Sequence, residues 1–193
     1  IAHLDEVTSA VLGTELGPPV CRESEARFLS PVITPTKIVG APVNYSDHLA
    51  EAVDDEGISQ GNEVAGIDRA GLFLKAPSSL VGPSEGIALR FPHRRNDYEV
   101  EVGVVIGRRC TRTTVAEALG YVAGYVIAID VTLRGPEDRS FRKSIDSYSV
   151  LGPYLVTPDE IGDPGAITFS LDLNGDRRQE ASTTELVKDI PTL

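Results

Sequence analysis

The sequence predicts a β-rich α+β domain. Three observations lead to this class: the predicted strands outnumber the helices, the predicted helices are short, and Asn174-Gly175 separates two strand-like runs as a two-residue hairpin turn. The chain has 193 residues, of which 41% are hydrophobic and 24% are charged. These values are ordinary for a globular protein, and the length allows one domain with a buried core.

The first third of the chain is weakly patterned. Residues 1–36 contain Gly17-Pro18-Pro19 and further prolines, so this N-terminal segment is predicted to be irregular. Ser46 is a good N-cap for a helix from Asp47 to about Val53. Residues 54–70 are acidic and contain glycine, so we interpret them as a mobile loop that forms a lid beside that helix. Short strands are predicted over 36–39 and 72–75.

The middle and the C-terminal part carry the strongest patterns. Tyr98 to Ile106 is rich in valine, which is typical of a strand. Thr114-x-x-Glu117 is a capping box that begins a short helix. Gly124 to Asp130 is apolar up to its last residue and predicts a buried strand. A long polar loop is predicted over 133–149, and the hairpin strands are predicted over 167–173 and 176–180.

Charge and composition exclude several functions. The 18 Lys and Arg residues against 29 Asp and Glu give a net charge of −11, which disfavours nucleic acid as a partner. No apolar run reaches the roughly 18 residues of a membrane span, and the N-terminus lacks a signal-peptide pattern. The two cysteines form neither a disulfide framework nor a metal-spaced pair. We therefore expect a soluble cytoplasmic protein, with no nucleic acid and no membrane as partner.

Three carboxylates are candidate metal ligands. Glu99 and Glu101 stand at i and i+2 of the predicted strand, so they project from the same face. Asp130 ends a second predicted strand that carries no other charge. Adjacent carboxylates at the edge of a buried environment are costly unless a cation neutralises them. With no Cys or His nearby, the three suit a hard ion such as Mg²⁺ or Mn²⁺.

These carboxylates also have simpler interpretations. Glu99 and Glu101 are compatible with a solvated strand face, and Asp130 with a cap on the following turn. Against a solvated face, Gly103 and Val105 continue the side of the strand that carries the two glutamates.

His48 and Glu51 form a candidate general base. On the predicted helix they stand at i and i+3, and a carboxylate that holds an imidazole can activate a water molecule. The alternative is an exposed helix pair of small energetic value. Lys75 and Lys143 could each anchor an anionic substrate group, and each could equally be a surface lysine.

Taken in order, several segments of the chain resemble the fumarylacetoacetate hydrolase (FAH) family. The resemblance covers roughly residues 37–193 and depends on a series of ordered blocks rather than on one motif. The blocks are Lys37-Ile38-Val39-Gly40, Asn44-Tyr45-Ser46-Asp47-His48, Leu72 to Gly82, Asp97-Tyr98-Glu99-Val100-Glu101, Gly124 to Arg134, Arg142-Lys143-Ser144 and Leu151 to Ile161.

The resemblance implies a fold, an assembly and a set of site residues. The fold is the FAH mixed β-sandwich roll, usually a homodimer, with 1–36 as an N-terminal segment and 37–193 as the catalytic domain. The family's metal ligands match Glu99, Glu101 and Asp130, which would hold Mg²⁺, Mn²⁺ or Ca²⁺. Its catalytic residues match His48, Glu51 and Lys143, and its substrate-binding residues match Lys75, Arg134 and Ser79.

The same resemblance implies the chemistry. We expect a metal-dependent hydrolase that cleaves a carbon–carbon bond of a 2,4-dioxo acid, such as an acylpyruvate or fumarylpyruvate, by stabilising an enolate. The alternatives are an isomerase or decarboxylase of 2-oxo-diene-dioates in aromatic catabolism, or an oxaloacetate decarboxylase. A third alternative, a family member without catalysis, would be favoured by loss of a metal carboxylate or of His48, and neither is lost.

We also expect the chain to be part of a longer enzyme. It contains no methionine. The family's C-terminal Thr-Gly-Thr-Pro loop, which contributes a substrate-binding threonine, would lie beyond Leu193. The catalytic domain over 37–193 is therefore expected to be incomplete.

Overall fold

A computed structural model describes residues 3–15, 17–46, 54–59 and 65–193 of the chain. Within these residues, three β-sheets and a set of short helices form a mixed structure that is rich in strands. The predicted β-rich α+β class is confirmed. In the same ranges, no helix is both long and apolar enough to cross a membrane.

The strands differ widely in length, from two residues to twelve. The two longest are consecutive in the chain and carry the valine-rich and apolar runs that predict strands. The strands are β1 (Ile38–Gly40), β2 (Phe73–Lys75), β3 (Leu80–Val81), β4 (Asn96–Ile106), β5 (Val122–Leu133), β6 (Ser149–Leu151), β7 (Thr168–Leu173) and β8 (Asp176–Ser182).

The largest sheet has the strand order β3-β6-β5-β4. Its centre is the long antiparallel pair β4 and β5, whose register places Glu99 opposite Asp130 and shifts only between Val105 and Ile106. Strand β6 pairs antiparallel with β5, and β3 runs parallel to β6 at the edge. This sheet therefore fixes the relative positions of the predicted metal ligands.

Two smaller antiparallel sheets flank it in sequence. One pairs β1 with β2, and the other is the hairpin of β7 and β8. The hairpin turns through Asn174 at φ 55° and Gly175 at φ 91°. Positive φ at both central residues is what a two-residue turn of this type requires, and Asn-Gly adopts it readily. The predicted hairpin is confirmed.

The helices are short, and several begin at capping residues that can be identified in the sequence. Thr114 and Glu117 form the predicted capping box, and Asp138 accepts a 2.8 Å hydrogen bond from the Ser140 amide at the next helix start. The helices are α1 (Leu4–Leu12), α2 (Glu56–Ser59), α3 (Ile67–Ala70), α4 (Val115–Ala118), α5 (Arg139–Lys143) and α6 (Pro158–Ile161).

A small apolar core lies beside the site. Its fully buried members are Val131, Leu133 and Tyr148, and Phe91, Ile129 and Ile145 pack against them. Burying each large apolar side chain contributes roughly 1.5–3 kcal/mol. Because Val131 follows Asp130 directly, the core holds the end of β5 that carries the carboxylate.

The structure corrects three predictions made from the sequence. The N-terminal segment 1–36 is not wholly irregular, because Leu4–Leu12 contains no Gly or Pro and forms α1. The segment 54–70 is not a simple loop, since it contains α2 and α3 and Ile67 is buried. The loop predicted over 133–149 contains α5, which Asp138 caps. The helix predicted over 47–53 lies outside the described residues.

Candidate active site

Strands β4 and β5 place two of the predicted metal ligands directly opposite each other. The register pairs Glu99 with Asp130, and the next residue on the same face of β4, Glu101, pairs with Ala128. Residues directly opposite each other in an antiparallel pair project to the same side of the sheet. All three carboxylates therefore share one face.

Two buried lysines neutralise this face. The Lys143 ammonium donates hydrogen bonds of 2.7 Å to Glu99 Oε2 and of 2.7 Å to Asp130 Oδ2. The Lys75 ammonium donates to Asp130 Oδ1 and, at 2.8 Å, to the Tyr148 carbonyl. Both residues are buried, with exposed fractions of 8% for Lys143 and 5% for Lys75. Such burial is tolerable for an ammonium only when it is paired and hydrogen-bonded.

The two lysines respond differently to their surroundings. Burial lowers the pKa of the Lys75 ammonium, and its pairing with Asp130 only partly offsets that effect. Burial acts on Lys143 too, but Glu99 and Asp130 together outweigh it, so the pKa of Lys143 is raised. Lys143 is therefore the more firmly protonated donor of the pair.

Short elements from distant parts of the chain bring the lysines to the sheet. Lys75 is the last residue of β2, and Lys143 is the last residue of α5. Helix α5 packs against both β5 and β2, and the Ala76 amide donates a 2.8 Å hydrogen bond to Ser144 Oγ. The junction of β2 and α5 thus holds both ammonium groups over the carboxylates.

A chain of alternating charges leads away from Glu99. Arg134 donates 2.9 Å and 2.7 Å hydrogen bonds to Glu99 Oε1 and Asp97 Oδ2. The other oxygen of Asp97 accepts a 2.8 Å hydrogen bond from Arg95, whose guanidinium is 3.0 Å from Asp55 Oδ2. Asp55 directly precedes α2 and accepts a 2.7 Å hydrogen bond from the Gly57 amide. The site is therefore connected to the segment 54–59 through ionic contacts.

Glu101 is electrostatically distinct from the other two carboxylates. Among the described residues it takes part in none of the ion pairs of this face. Burial, with the nearby negative charges of Glu99 and Asp130, raises the pKa of Glu101 to about 8. A divalent cation beside this carboxyl would oppose both effects.

The donor set matches a hard divalent ion, although the side chains are not arranged around one. Three carboxylates on one face supply oxygen ligands of the kind that Mg²⁺ and Mn²⁺ prefer. Over the described ranges, however, no three His, Cys, Asp or Glu side chains converge at metal-binding spacing. Lys143 bridges oxygens of Glu99 and Asp130 that an ion would need. The assignment of Glu99, Glu101 and Asp130 as ligands stays a prediction.

The remaining predicted site residues have different surroundings. Arg134 contacts Glu99 through one of its terminal nitrogens. Ser79 is fully buried, and its hydroxyl lies 2.7 Å from both the Ala76 carbonyl and Ser149 Oγ. Its substrate-binding role stays a prediction, as does the role of His48 and Glu51, which lie outside the described residues.

An open cavity of about 1530 Å³ lies over this face of the sheet. It contains basic residues that the sequence analysis missed, notably Arg139 and Arg142 of α5. Both lie in a segment that the polar composition predicts to be loop, and only the Asp138 cap indicates a helix there. The charged and aromatic residues that line the cavity include Phe73, Lys75, Glu99, Glu101, Asp130, Arg134, Arg139, Arg142 and Lys143.

Most of the chain matches a known family of enzymes. Residues 37–193 match the family model described as fumarylacetoacetate (FAA) hydrolase C-terminal, and the chain belongs to this family. The resemblance noted in the sequence is confirmed.

Individual relatives are similar over the whole chain. The maleylpyruvate hydrolase of Aquipseudomonas alcaligenes is 47% identical over an alignment of 195 residues, which covers 100% of this chain and 68% of that protein. A crystal structure of maleylpyruvate hydrolase from Sphingobium sp. SYK-6, in complex with manganese (II) and pyruvate, is 31% identical, with a TM-score of 0.76. The match covers 98% of this chain and 62% of that one.

A further structural neighbour has a different activity. The crystal structure of 5-carboxymethyl-2-hydroxymuconate delta-isomerase from Mycobacterium smegmatis is 28% identical, with a TM-score of 0.66, and the match covers 86% of this chain. It covers 62% of the isomerase chain. The chain thus spans about two thirds of the length of these relatives.

Proposed function

We propose that the protein carrying this chain is a divalent-metal-dependent hydrolase that cleaves a carbon–carbon bond of a 2,4-dioxo acid of the acylpyruvate type. The observation that carries the proposal is the opposed pair Glu99 and Asp130, held by two buried lysines on the wall of an open cavity. The similarity to a maleylpyruvate hydrolase, and to another that was crystallised with manganese (II) and pyruvate, supports it.

In this proposal the carboxylates of Glu99, Glu101 and Asp130 hold the ion. Bound there, Mg²⁺, Mn²⁺ or Ca²⁺ supplies a Lewis acid that polarises the oxygens of the 2-oxo acid. Arg134 orients Glu99, and Lys75 orients Asp130. These contacts fix the directions of the carboxylate oxygens, as outer contacts of metal ligands commonly do.

Lys143 is the proposed electrostatic catalyst. It is buried and protonated, and its Nζ lies on the same face as the carboxylates. Once other ligands bind the carboxylate oxygens that Lys143 contacts, its ammonium hydrogens are available to the substrate. They can then donate to the substrate oxygen on which negative charge develops as the carbon–carbon bond breaks. A fixed cationic donor in a desolvated site stabilises such charge strongly.

The dyad of His48 and Glu51 is proposed to activate the attacking water. The imidazole takes a proton from the water as its oxygen adds to the carbonyl distal to the 2-oxo acid, and the glutamate holds the imidazolium. The carbon–carbon bond then breaks, its electron pair forms an enolate, and the enolate carbon takes the proton from the imidazolium, which gives a 2-oxo acid and a carboxylic acid. This assignment depends on the family resemblance and on the spacing of the two residues.

The second candidate is isomerisation or decarboxylation of a 2-oxo-diene-dioate, or decarboxylation of oxaloacetate. The structural similarity to an isomerase favours this candidate for one specific reason. The same carboxylates and Lys143 could stabilise an enolate without any attacking water. Because no water attacks in such a reaction, the His48 dyad would be dispensable for turnover.

A substrate panel distinguishes the two candidates. The full-length protein with Mn²⁺ or Mg²⁺ is incubated with acetylpyruvate, fumarylpyruvate, oxaloacetate and a 2-oxo-diene-dioate, and products are identified by mass spectrometry. We expect pyruvate and a carboxylic acid from the dioxo acids, abolished by EDTA and restored by the ion. Turnover of only the diene-dioate or oxaloacetate would overturn the hydrolase assignment.

The proposal also covers assembly and location. We propose a homodimer in the cytoplasm that acts on a free small molecule. Light scattering on the purified protein tests the first of these statements, and a monomer at micromolar concentration would reject it.

A further inference from the structure

We propose that Arg139 binds a second carboxylate, at the far end of the substrate, and so selects dicarboxylic 2-oxo acids over those that end in a neutral group. The proposal rests on the proposed function, because it assumes that the 2-oxo acid end of the substrate binds beside Glu99, Asp130 and Lys143. It extends that function by assigning a residue to the recognition of the other end.

The first observation is where α5 places Arg139. Arg139 begins this helix and Lys143 ends it, so they stand at i and i+4, on one face and one turn apart. Arg139 Cζ is 5.5 Å from the centroid of the Phe73 ring, and Lys143 Nζ is 5.6 Å from the same centroid. Both cations therefore contact the same aromatic ring, and all three residues line the cavity.

The second observation is that Arg139 has no carboxylate of its own. In the described part of the chain it forms no ion pair, whereas Arg134 holds Asp97 and Glu99, and Arg94 holds Glu137. The neighbouring carboxylate of Asp138 caps α5 through the Ser140 amide, and it interacts electrostatically with Arg139 without forming an ion pair. Within the described ranges, the Arg139 guanidinium is thus a cation at the cavity wall that forms no ion pair with a carboxylate.

The surroundings of Arg139 are positively charged as well. Burial, together with the like charges of Arg134 and Arg139, lowers the pKa of the Arg142 guanidinium, and the acidic Glu137 and Asp138 only partly oppose this effect. Arg142 itself donates to the backbone carbonyls of Glu137 and Leu133. Three arginines therefore lie close to one another at this end of the cavity, and a planar guanidinium suits a carboxylate in particular.

One helical turn is short enough for a substrate with charges at both ends to reach both cations. One helical turn is about 5.4 Å along the axis, and a six-carbon chain has five carbon–carbon bonds of about 1.5 Å each. A 2-oxo acid held beside Lys143 could therefore extend over Phe73 and place a terminal carboxylate at Arg139. The ring would contact the apolar middle of such a molecule.

A pair of non-reacting ligands tests the proposal by binding alone. 2-Oxoadipate and 2-oxohexanoate share the 2-oxo acid end and the number of carbons, and differ in a terminal carboxylate against a methyl group. Calorimetric titration of the Mn²⁺-loaded full-length protein should show preference for 2-oxoadipate. In Arg139→Gln that preference should fall by roughly tenfold to a hundredfold, the range expected for hydrogen bonds to a charged group, while 2-oxohexanoate affinity should be unchanged. Arg139→Lys should retain part of the preference.

Arg108→Gln is the matched control. Arg108 also stacks on an aromatic ring, with its Cζ 4.4 Å from the Tyr121 centroid. It lines the same cavity but lies beyond the end of β4, nine residues after Glu99. This variant should keep the wild-type preference, and equal melting temperatures for all variants would show that the fold is intact.

Three results would overturn the proposal. They are equal affinity of the wild type for the two ligands, a preference that survives in Arg139→Gln, and an equal loss of both ligands in that variant. Failure of the proposed function gives a different result: the wild type would discriminate between the ligands through Arg139 and yet hydrolyse no 2,4-dioxo acid.

Discussion

Glu99 and Asp130 lie directly opposite each other across β4 and β5, and a single ammonium, that of Lys143, donates 2.7 Å hydrogen bonds to both. Both the stability of the sheet and the chemistry of the site therefore depend on the contact of Lys143 with these two carboxylates. The carboxylates need a cation between them, and the same oxygens are the ones that a divalent ion would use. We therefore expect the ion and Lys143 to compete for the pair, and the following predictions test the consequences.

Lys143→Met should destabilise the metal-free protein. Removal of one partner from a buried ion pair leaves uncompensated charge, and the free energy of unfolding should fall by about 3–5 kcal/mol. Mn²⁺ should restore more stability to this variant than to the wild type, because it replaces the lost cation. Turnover of a 2,4-dioxo acid should fall by about 10²–10³-fold. Denaturant unfolding with and without Mn²⁺, and steady-state kinetics, measure these effects.

Lys188→Met is the control for Lys143→Met. Lys188 pairs with Asp68 at 2.6 Å, but the two side chains are 32% and 77% exposed. A pair of this kind contributes about 0–1 kcal/mol. An equally small fall in the free energy of unfolding of Lys143→Met would show that its buried contacts stabilise the fold no more than an exposed pair does.

His48→Gln should separate catalysis from metal binding. If His48 activates water, turnover should fall by about 10²–10⁴-fold, while oxalate, which mimics the chelating end of the substrate, should bind the Mn²⁺-loaded protein almost unchanged. Glu99→Gln should weaken the binding of both Mn²⁺ and oxalate, because it alters a proposed ligand. An unchanged turnover rate in His48→Gln would reject the dyad and favour decarboxylation.

The pH dependence of metal binding should reflect Glu101. Because its pKa is raised from 4.5 to about 8, folding favours the protonated form, so its contribution to stability is present below pH 4.5 and is lost as pH rises to about 8. A divalent ion needs the ionised form. Mn²⁺ affinity should therefore rise by up to about tenfold per pH unit towards pH 8 and level off above it. Calorimetry across this range tests the slope, which Glu101→Gln should flatten; an equal slope in that variant would contradict the assignment.

Arg95→Gln should loosen the segment 54–59. Arg95 joins Asp97 to Asp55, and a Cβ on Gly57 would stand 2.5 Å from the Arg95 guanidinium, so the helix start and the arginine are closely packed. Hydrogen exchange of this segment should slow in the wild type when oxalate and Mg²⁺ bind, and less so in the variant. Arg177→Gln in the β7–β8 hairpin is the control. Equal exchange with and without oxalate would argue against a lid.

The sequence predicted the parts of the site that depend on local periodicity. Alternation along β4 placed Glu99 and Glu101 on one face, and the Asn174-Gly175 turn defined its hairpin. It could not predict that Glu99 faces Asp130, since the register of β4 and β5 depends on the packing of the whole sheet.

Long-range contacts were beyond the sequence for a related reason. Lys75 and Asp130 are 55 residues apart, and Arg95 and Asp55 are 40 apart, so no local pattern links them. Helix α5 was missed because five residues are too few to show an apolar period, which left the polar composition of 133–149 to suggest a loop. Lys143 is buried where that helix ends, so its burial could not be predicted without predicting the helix.

The most direct test of the account is the anomalous diffraction of manganese in crystals of the full-length protein grown with Mn²⁺. We predict a single manganese peak within coordination distance of carboxylate oxygens from Glu99, Glu101 and Asp130; for the smaller Mg²⁺ such distances are about 2.0–2.1 Å. The Lys143 ammonium should have withdrawn from at least one of its two carboxylates. An ion bound elsewhere, or no ion and Lys143 still bridging Glu99 and Asp130 at saturating Mn²⁺, would contradict it.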